Sequence, residues 1–238
     1  MVNIEGSTVL VTGANRGIGE ALVSEALNRG AARVYAGTRQ PVTHPDSRVV
    51  SVQLDVTSPE QIAAAAEQVG ALDVLINNAG ISLFDDLSDR GMLERHLAVN
   101  FFGMYEMVQA FGPALARSGG VIINNLSLNS LAPMPLVPAY SASKAAAFSL
   151  TQSLRTQLAP SGVRVHAVLT GPVDTDMGRP FPVTKASPES VAVAIFSGVA
   201  AGEEDIFPDP WSAPLAEGWR GGVSKALEVQ LAGFAVAS

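Results

Sequence analysis

Through most of the chain, short runs of apolar residues alternate with longer stretches whose apolar positions recur at helical spacing. The run TVLVT at 8–12 is rich in β-branched residues and followed by glycine, which predicts a buried strand. Further strands are predicted at 33–37, 49–54, 74–76, 121–126 and 163–169, with a short last one at 205–207. Helices are predicted at 17–29, 58–69, 89–117, 139–158 and 188–201. Ser58 is placed to cap the second helix, with Pro59 at its first position, and Pro160 stops the fourth. The strands are continuous apolar runs rather than alternating ones, which fits burial on both faces. This βα order predicts an α/β protein, a doubly wound parallel sheet with helices on both faces. Past Thr170 the pattern loosens, interrupted by Pro172, Pro180, Pro182 and Pro188. No repeat or low-complexity linker divides the 238 residues, so one domain is expected over 1–238.

Composition narrows the function classes. The chain is 47% hydrophobic and 16% charged, enough apolar material for a sizeable core. Its net charge of −7 argues against a nucleic-acid partner, which needs a basic face to neutralise phosphates. A small anionic ligand still fits, because a few local cations and backbone N–H groups suffice. There is no cysteine, so disulfides, thiolate catalysis and cysteine-ligated metals are excluded. His44, His96 and His166 are scattered without metal-ligand spacing and read as structural or surface residues. The opening MVNIEGSTVL lacks the basic-then-apolar order of a signal peptide. No apolar run approaches the roughly 18–20 residues that span a bilayer. A cytoplasmic protein with no membrane partner is therefore expected.

The segment TGANRGIG at 12–19 follows the first predicted strand and opens the first helix. Glycines there let the backbone turn tightly and approach a phosphate. The helix start adds unpaired N–H groups and a partial positive charge. The spacing is G-x-x-x-G-x-G rather than the G-x-G-x-x-G dinucleotide fingerprint. A merely tight turn therefore competes with a nucleotide site, and the strand–helix–strand context favours the nucleotide. About 20 residues on, where an acid would bind a ribose 2′-OH, stands Arg39. Arg16 lies inside the glycine-rich loop. Either arginine alone reads as a solvated side chain, but two guanidiniums together suit a 2′-phosphate. NADP(H) is expected over NAD(H).

Tyr140 and Lys144 stand four positions apart within a predicted helix, which puts them on one face. Both groups ordinarily titrate near pH ~10. A nearby ammonium favours tyrosinate and lowers the phenol's pKa towards a range useful for proton transfer. Ser127 follows a strand end, where α/β sheets place ligands, and its hydroxyl is suited to bond a carbonyl oxygen.

Taken in order, these segments resemble the classical short-chain dehydrogenase/reductase family over roughly residues 6–178. TGANRGIG is similar to the family's cofactor loop, which implies contacts from Gly13, Asn15, Arg16, Gly17, Ile18 and Gly19. LDVT at 54–57 matches its adenine-side segment, implying Asp55 and Val56 there, with Asp55 at the adenine amino group. NNAG at 77–80 matches the motif after its fourth strand and implies Asn77, Ala79 and Gly80. LAVNFFG at 97–103 supplies Asn100, and Ser127, Tyr140 and Lys144 complete an Asn-Ser-Tyr-Lys set. The resemblance implies a Rossmann-type fold and a role for each of the four. Tyr140 gives a proton to a carbonyl oxygen or takes one from an alcohol, and Ser127 orients and polarises the carbonyl. Lys144 holds the nicotinamide ribose and tunes Tyr140, and Asn100 holds a water in the proton relay. Structural roles compete at three positions: Asn77 and Asp55 as turn or helix-start residues, and Asn100 as a helix-internal cap. The family's Pro-Gly after the sixth strand reads Thr170-Gly171 here, which is expected to loosen that turn. Gly171, Val173 and Thr175 still fit contacts to the nicotinamide carboxamide.

The family builds its substrate wall from the stretch at about 176–188, and here MGRPFPVTKASPES is short. Met177, Phe181, Leu131, Met134 and Pro135 are apolar candidates for contact. The expected substrate is a ketone or aldehyde, or a secondary alcohol in reverse, and the expected enzyme a carbonyl reductase. A catalytically silent NADP-binding sensor or interaction protein is the alternative, disfavoured because sensing needs no proton donor. In the C-terminal segment, about 203–238, Trp211 and Trp219 are expected to pack against the body or a neighbouring subunit. The resemblance implies a homodimer or homotetramer through the helices carrying Asn100 and Tyr140.

Overall fold

The computed structural model describes residues 3–234; positions 1–2 and 235–238 of the predicted spans lie outside the described residues. Strands β1 (Thr8–Thr12), β2 (Arg33–Thr38), β3 (Val49–Gln53), β4 (Val74–Asn77), β5 (Val121–Asn125), β6 (Arg164–Val168) and β7 (Asp205–Ile206) form one sheet. Every pairing is parallel, and the order is β3-β2-β1-β4-β5-β6-β7. The helices are α1 (Gly17–Asn28), α2 (Pro59–Val69), α3 (Arg90–Leu97), α4 (Gly103–Ser118), α5 (Pro138–Leu158), α6 (Pro188–Ala201), α7 (Ala216–Arg220) and α8 (Val223–Ala232).

The two-residue alternation of strands divides the core into two layers. Val9, Val11, Val34, Ile76 and Ile123 pack on one side with Leu22 of α1 and Phe196 of α6. Leu10, Tyr35, Leu75 and Ile122 pack on the other with Ile62 of α2 and Phe111 of α4. Burying each such large side chain contributes about 1.5–3 kcal/mol. From β1 the strand order runs outwards to β2 on one side and β4 on the other. That reversal opens a crevice beyond the carboxyl ends of the strands, where such sheets bind ligands.

The helix predicted at 89–117 is interrupted. Asp89 caps α3, its carboxylate accepting the Gly91 N–H at 2.8 Å. A five-residue π-helical turn, Ala98–Phe102, then joins α3 to α4. Apolar periodicity reports which face is buried, not which carbonyl each N–H chooses, so it does not register a wide turn. The turn carries Asn100, and π turns recur at functional sites. The start of α5 is also tied from outside. Its cap residue, Val137, makes no side-chain bond, and Asp85 instead accepts the Ala139 N–H at 3.2 and 3.3 Å.

Helices α7 and α8 were not predicted. They are short, and α8 has no buried residue to give its sequence a clear apolar face. Charge anchors them instead. Arg155 of α5 pairs with Glu228 at 2.7 Å and with Asp205, and Lys225 lies 2.7–3.0 Å from Glu204, Asp205 and Glu228. Trp219 packs into the body as expected, its ring 5.5 Å from Phe148 and its indole N–H donating to Asp205 at 2.8 Å.

Candidate active site

A cleft of about 1270 Å³ opens at the carboxyl ends of the strands. One wall is the β1–α1 loop. Gly13 has φ +65°, and a Cβ on Gly19 would lie 2.1 Å from the Gly13 carbonyl oxygen, so only glycine allows this close return of the chain. The Thr12 hydroxyl accepts the N–H groups of Asn78 and Ala79, each at 2.9 Å, and so ties the ends of β1 and β4 together. No side chain of the cap residue Arg16 bonds the first turn of α1, which leaves its N–H groups to face the cleft. That is the arrangement an anionic phosphate fits.

Asn15, Arg16, Gly17, Ile18, Arg39, Asp55, Val56, Ala79 and Gly80 all line this cleft. Arg16 is exposed and pairs with Asp176 of the 176–188 loop at 2.7 Å. Asp55 accepts the Thr57 hydroxyl at 2.7 Å and its N–H at 2.9 Å, so it closes a turn as well as lining the cleft. The Thr57 hydroxyl holds the Asp55 carboxyl below its usual range, and the nearby Arg39 charge acts in the same direction. Asn77 is placed differently from expectation. Its side chain is buried and donates to Asn124 Oδ1 at 2.9 Å, and it is absent from the cleft wall. Neighbours along a strand end point opposite ways, and Asn78 takes the lining position. Asn78 Nδ2 bonds the Thr12 carbonyl at 2.9 Å, and its Oδ1 accepts from Asn125.

At the other end, Ser127, Tyr140 and Lys144 line the same cleft, with Gly171, Val173 and Thr175. Ser127 leaves β5 in an extended conformation and accepts the Asn129 N–H at 3.1 Å. Tyr140 and Lys144 share a face of α5, the ammonium 5.8 Å from the ring centroid. Lys144 donates to the Asn125 carbonyl at 2.8 Å. Burial pulls Lys144 down to about 8. Burial also pushes the Tyr140 phenol above its ordinary value, with the Ser127 hydroxyl opposing. The expected lowering of Tyr140 by Lys144 is thus overturned in this structure: desolvation wins, and the ammonium is directed at a backbone carbonyl.

Asn100 lies behind the cleft. Its Oδ1 accepts the Ile81 N–H, and its Nδ2 donates to the Ile81 carbonyl and to Ser143 Oγ, each at 2.9 Å. A small cavity of about 10 Å³ is lined by Asn77, Asn100, Asn125 and Lys144 among others. That is room on the order of one water. Oδ1 of both Asn77 and Asn125 is buried without a partner, so polar atoms are available there.

The Thr170-Gly171 turn is tied rather than loosened. The Thr170 hydroxyl donates to the Leu126 carbonyl at 3.1 Å, and its own carbonyl accepts the Leu128 N–H at 2.9 Å. Asp209 then accepts the Gly171 N–H at 2.7 Å. Three contributors escaped sequence reasoning: Asp85 and Asp209 accept backbone N–H groups 54 and 38 positions away, and the Asn125 carbonyl accepts the Lys144 ammonium from 19 positions away. Asn78 and Thr12 lie inside the matched segments NNAG and TGANRGIG, which gave each a local signal. His96 is buried 6.4 Å from the Tyr140 ring, its nitrogens engaged by Met92 and Leu83, which makes it a structural pin as expected.

A family model described as short chain dehydrogenase matches residues 7–185. A short-chain dehydrogenase of Penicillium crustosum is 39% identical over 191 residues, covering 72% of this chain and 68% of its own. The L-rhamnose 1-dehydrogenase (NAD(P)(+)) of a Sphingomonas strain is 35% identical over 193 residues, covering 74% and 76%. Among solved structures, a short chain dehydrogenase from Burkholderia cenocepacia in complex with NADP is 37% identical. It aligns with a TM-score of 0.88 over 97% of this chain and 99% of that one.

Proposed function

The chain belongs to the short-chain dehydrogenase/reductase family, and on that footing we propose that it is an NADP(H)-dependent carbonyl reductase. It reduces a ketone or aldehyde, or oxidises a secondary alcohol in reverse. The observation that carries this reading is the convergence of Ser127, Tyr140 and Lys144 on one cleft with the uncapped start of α1. The nicotinamide, when bound, supplies or accepts the hydride. The chain's own residues do the rest.

The α1 N-terminus and the loop from Gly13 to Gly19 hold the pyrophosphate, and Asp55 and Val56 border the adenine. Arg16 and Arg39 meet a 2′-phosphate, which supports NADP(H) over NAD(H). The Burkholderia relative, crystallised with NADP, points the same way, while the Sphingomonas enzyme's name covers both cofactors. Ala79, Gly80, Gly171, Val173 and Thr175 border the nicotinamide side. Tyr140 gives its phenolic proton to the carbonyl oxygen, and Ser127 orients that oxygen. Lys144 holds the ribose, and Asn100 supports the water-sized cavity behind it. The raised pKa keeps Tyr140 protonated at neutral pH, the form reduction needs. Oxidation needs tyrosinate and therefore climbs with pH.

The 176–188 stretch serves as the substrate loop of a single 1–238 unit. No helix among the described residues is long and apolar enough to cross a membrane. Exposed Phe102 and Tyr105 beside Asn100 support the reading of a homodimer or homotetramer built on the helices carrying Asn100 and Tyr140.

The test is NADPH and NADH oxidation across ketones and aldehydes, comparing wild type with Tyr140→Phe. Turnover preferring NADPH, and cut by about 10²–10⁴ in the variant, is expected for loss of a proton donor. Turnover preserved in Tyr140→Phe removes Tyr140 from that role. Tight NADPH binding with no turnover of any carbonyl returns the sensor reading.

A further inference from the structure

The segment just after β7 builds a corner that the chemistry above does not use. Asp209 is buried, and its carboxylate gathers four donors. Oδ2 accepts the Gly171 N–H and the Ser212 hydroxyl, each at 2.7 Å. Oδ1 accepts the N–H groups of Trp211 at 3.0 Å and Ser212 at 3.1 Å. Pro208 and Pro210 flank Asp209 and restrict the backbone on either side. A Cβ on Gly171 would come 2.6 Å from Asp209 Oδ1 and 2.8 Å from the Trp211 Cβ, so the corner sits directly on Gly171.

This corner connects to the candidate catalytic end through a short chain of bonds. Thr170, next to Gly171, bonds the backbone on both sides of Ser127, at Leu126 and Leu128. Trp211 is thereby tied a few links from Ser127, and it lines the cleft. The two tryptophans differ sharply. Trp219 packs against Phe148 and bonds Asp205, whereas among the described residues Trp211 has neither an aromatic partner nor an indole hydrogen bond. Trp211 is 52% exposed, on a backbone whose N–H is bonded to the Asp209 carboxylate at 3.0 Å. A large indole left open on a tied backbone is suited to contact a ligand, since little backbone ordering remains to be lost on binding. The same cleft is lined by Leu128, Met134, Leu136, Met177 and Phe181, and Phe181 leans on Phe84 at 5.6 Å.

We propose that Trp211, mounted on the Asp209–Ser212 corner, is a substrate-recognition residue that receives the flat apolar flank of an aryl ketone. The proposal rests on the carbonyl-reductase reading for where the carbonyl lies, and deepens it by naming the substrate class. Trp211 makes no bond to the reacting atoms; it selects the group that accompanies the carbonyl.

Two measurements test it, one without turnover. With NADP⁺ bound, acetophenone is titrated against tryptophan emission in wild type and in Trp211→Phe; butanone serves as the small aliphatic control. Acetophenone should quench wild-type emission saturably, and the remaining Trp219 emission of the variant should stay flat. No saturable quenching in wild type, or equal quenching in the variant, overturns the proposal. In the second, kcat/KM is compared for the two ketones. Trp211→Ala should lower the acetophenone value by about tenfold, mainly through KM, and leave butanone and the Kd for NADPH near wild type. Trp211→Phe should restore most of the loss. An equal loss on both ketones, or a weakened Kd for NADPH, overturns it by assigning Trp211 to the scaffold or the cofactor. Quenching confined to Trp211 with no turnover of any carbonyl would instead sink the reductase reading and leave the aryl site standing.

Discussion

Helix α5 and its surroundings hold two largely buried cationic sites that contrast in how they are paired. Near its start, Lys144 is buried with a backbone carbonyl as partner, and burial brings it down to about 8. Near its end, Arg155 joins Lys225 in a cluster with Glu204, Asp205 and Glu228. Burial alone would pull Lys225 down too, but bonds to Glu204 and Asp205 outweigh it and raise it. Burial likewise tends to raise Asp205, yet the Arg155 charge and the bonds from Trp219, Arg155 and Lys225 hold it below the usual range. The difference is pairing. A cation surrounded by carboxylates keeps its proton and anchors structure, while Lys144 has only the Asn125 carbonyl as partner and lies beside the Tyr140 ring.

Breaking the paired site should have the largest effect on stability. In Arg155→Met, Asp205 and Glu228 lose a buried counter-charge, a change that costs about 3–5 kcal/mol where one partner of such a pair is removed. Urea unfolding should show the loss, while turnover per folded molecule stays unchanged because the cluster lies away from the cleft. Turnover lost in proportion to stability would show that the tail anchors also shape the site. A smaller acid effect accompanies the wild-type cluster. Asp205 has a folded pKa below its unfolded one, so its contribution is present above the unfolded value and is lost as pH falls through the folded one.

The unpaired site should respond with the opposite sign. Lys144→Met removes an ammonium that is costly to bury, so the variant should be more stable at neutral pH by about 2 kcal/mol, less than the pKa shift alone implies because the Asn125 carbonyl loses its donor. Activity should nevertheless vanish. The pH dependence sharpens this. The folded pKa lies below the unfolded one, so the wild type carries its full penalty below pH about 8 and sheds it as the pH rises towards the unfolded value. Thermal melts of the two proteins should therefore converge in alkali. A variant less stable than wild type at pH 7 would place Lys144 among the structural cations.

The contrast also separates what was legible in the sequence. The sheet, the glycine-rich loop and the Ser127–Tyr140–Lys144 trio were readable because strand runs, helix spacing and motif order are local properties. Asn77 was misplaced because a one-residue alternation at a strand end decides which of two adjacent asparagines faces the cleft. The π turn at Ala98–Phe102 and helices α7 and α8 were missed because each depends on distant partners: Ile81 and Ser143 for Asn100, and Arg155 for Glu228. The direction of the Tyr140 shift was missed for the same reason. Helical spacing placed Lys144 beside it, but burial and the Asn125 carbonyl decide which influence wins.

The smallest expected effect lies at a third charge pair, on the rim. Arg16, proposed above for the 2′-phosphate, is held by Asp176, which also pairs with Arg179. Arg16 and Asp176 are 66% and 46% exposed, so water and salt screen their attraction and a ligand phosphate can take the guanidinium over. Asp176→Asn removes the competing carboxylate. Binding of NADPH should tighten by roughly two- to fivefold, the range an exposed pair supports, and binding of NADH should not change. The gain should shrink as salt is raised, because the attraction it releases is screened within about 10 Å at 0.1 M. Fluorescence titration with both cofactors at two ionic strengths reads all of this. If NADH tightens as much as NADPH, the carboxylate acts on the loop between Asp176 and Phe181 rather than on Arg16. The rim pair would then join the C-terminal cluster as an anchor, leaving Lys144 as the cation that stands apart from carboxylates.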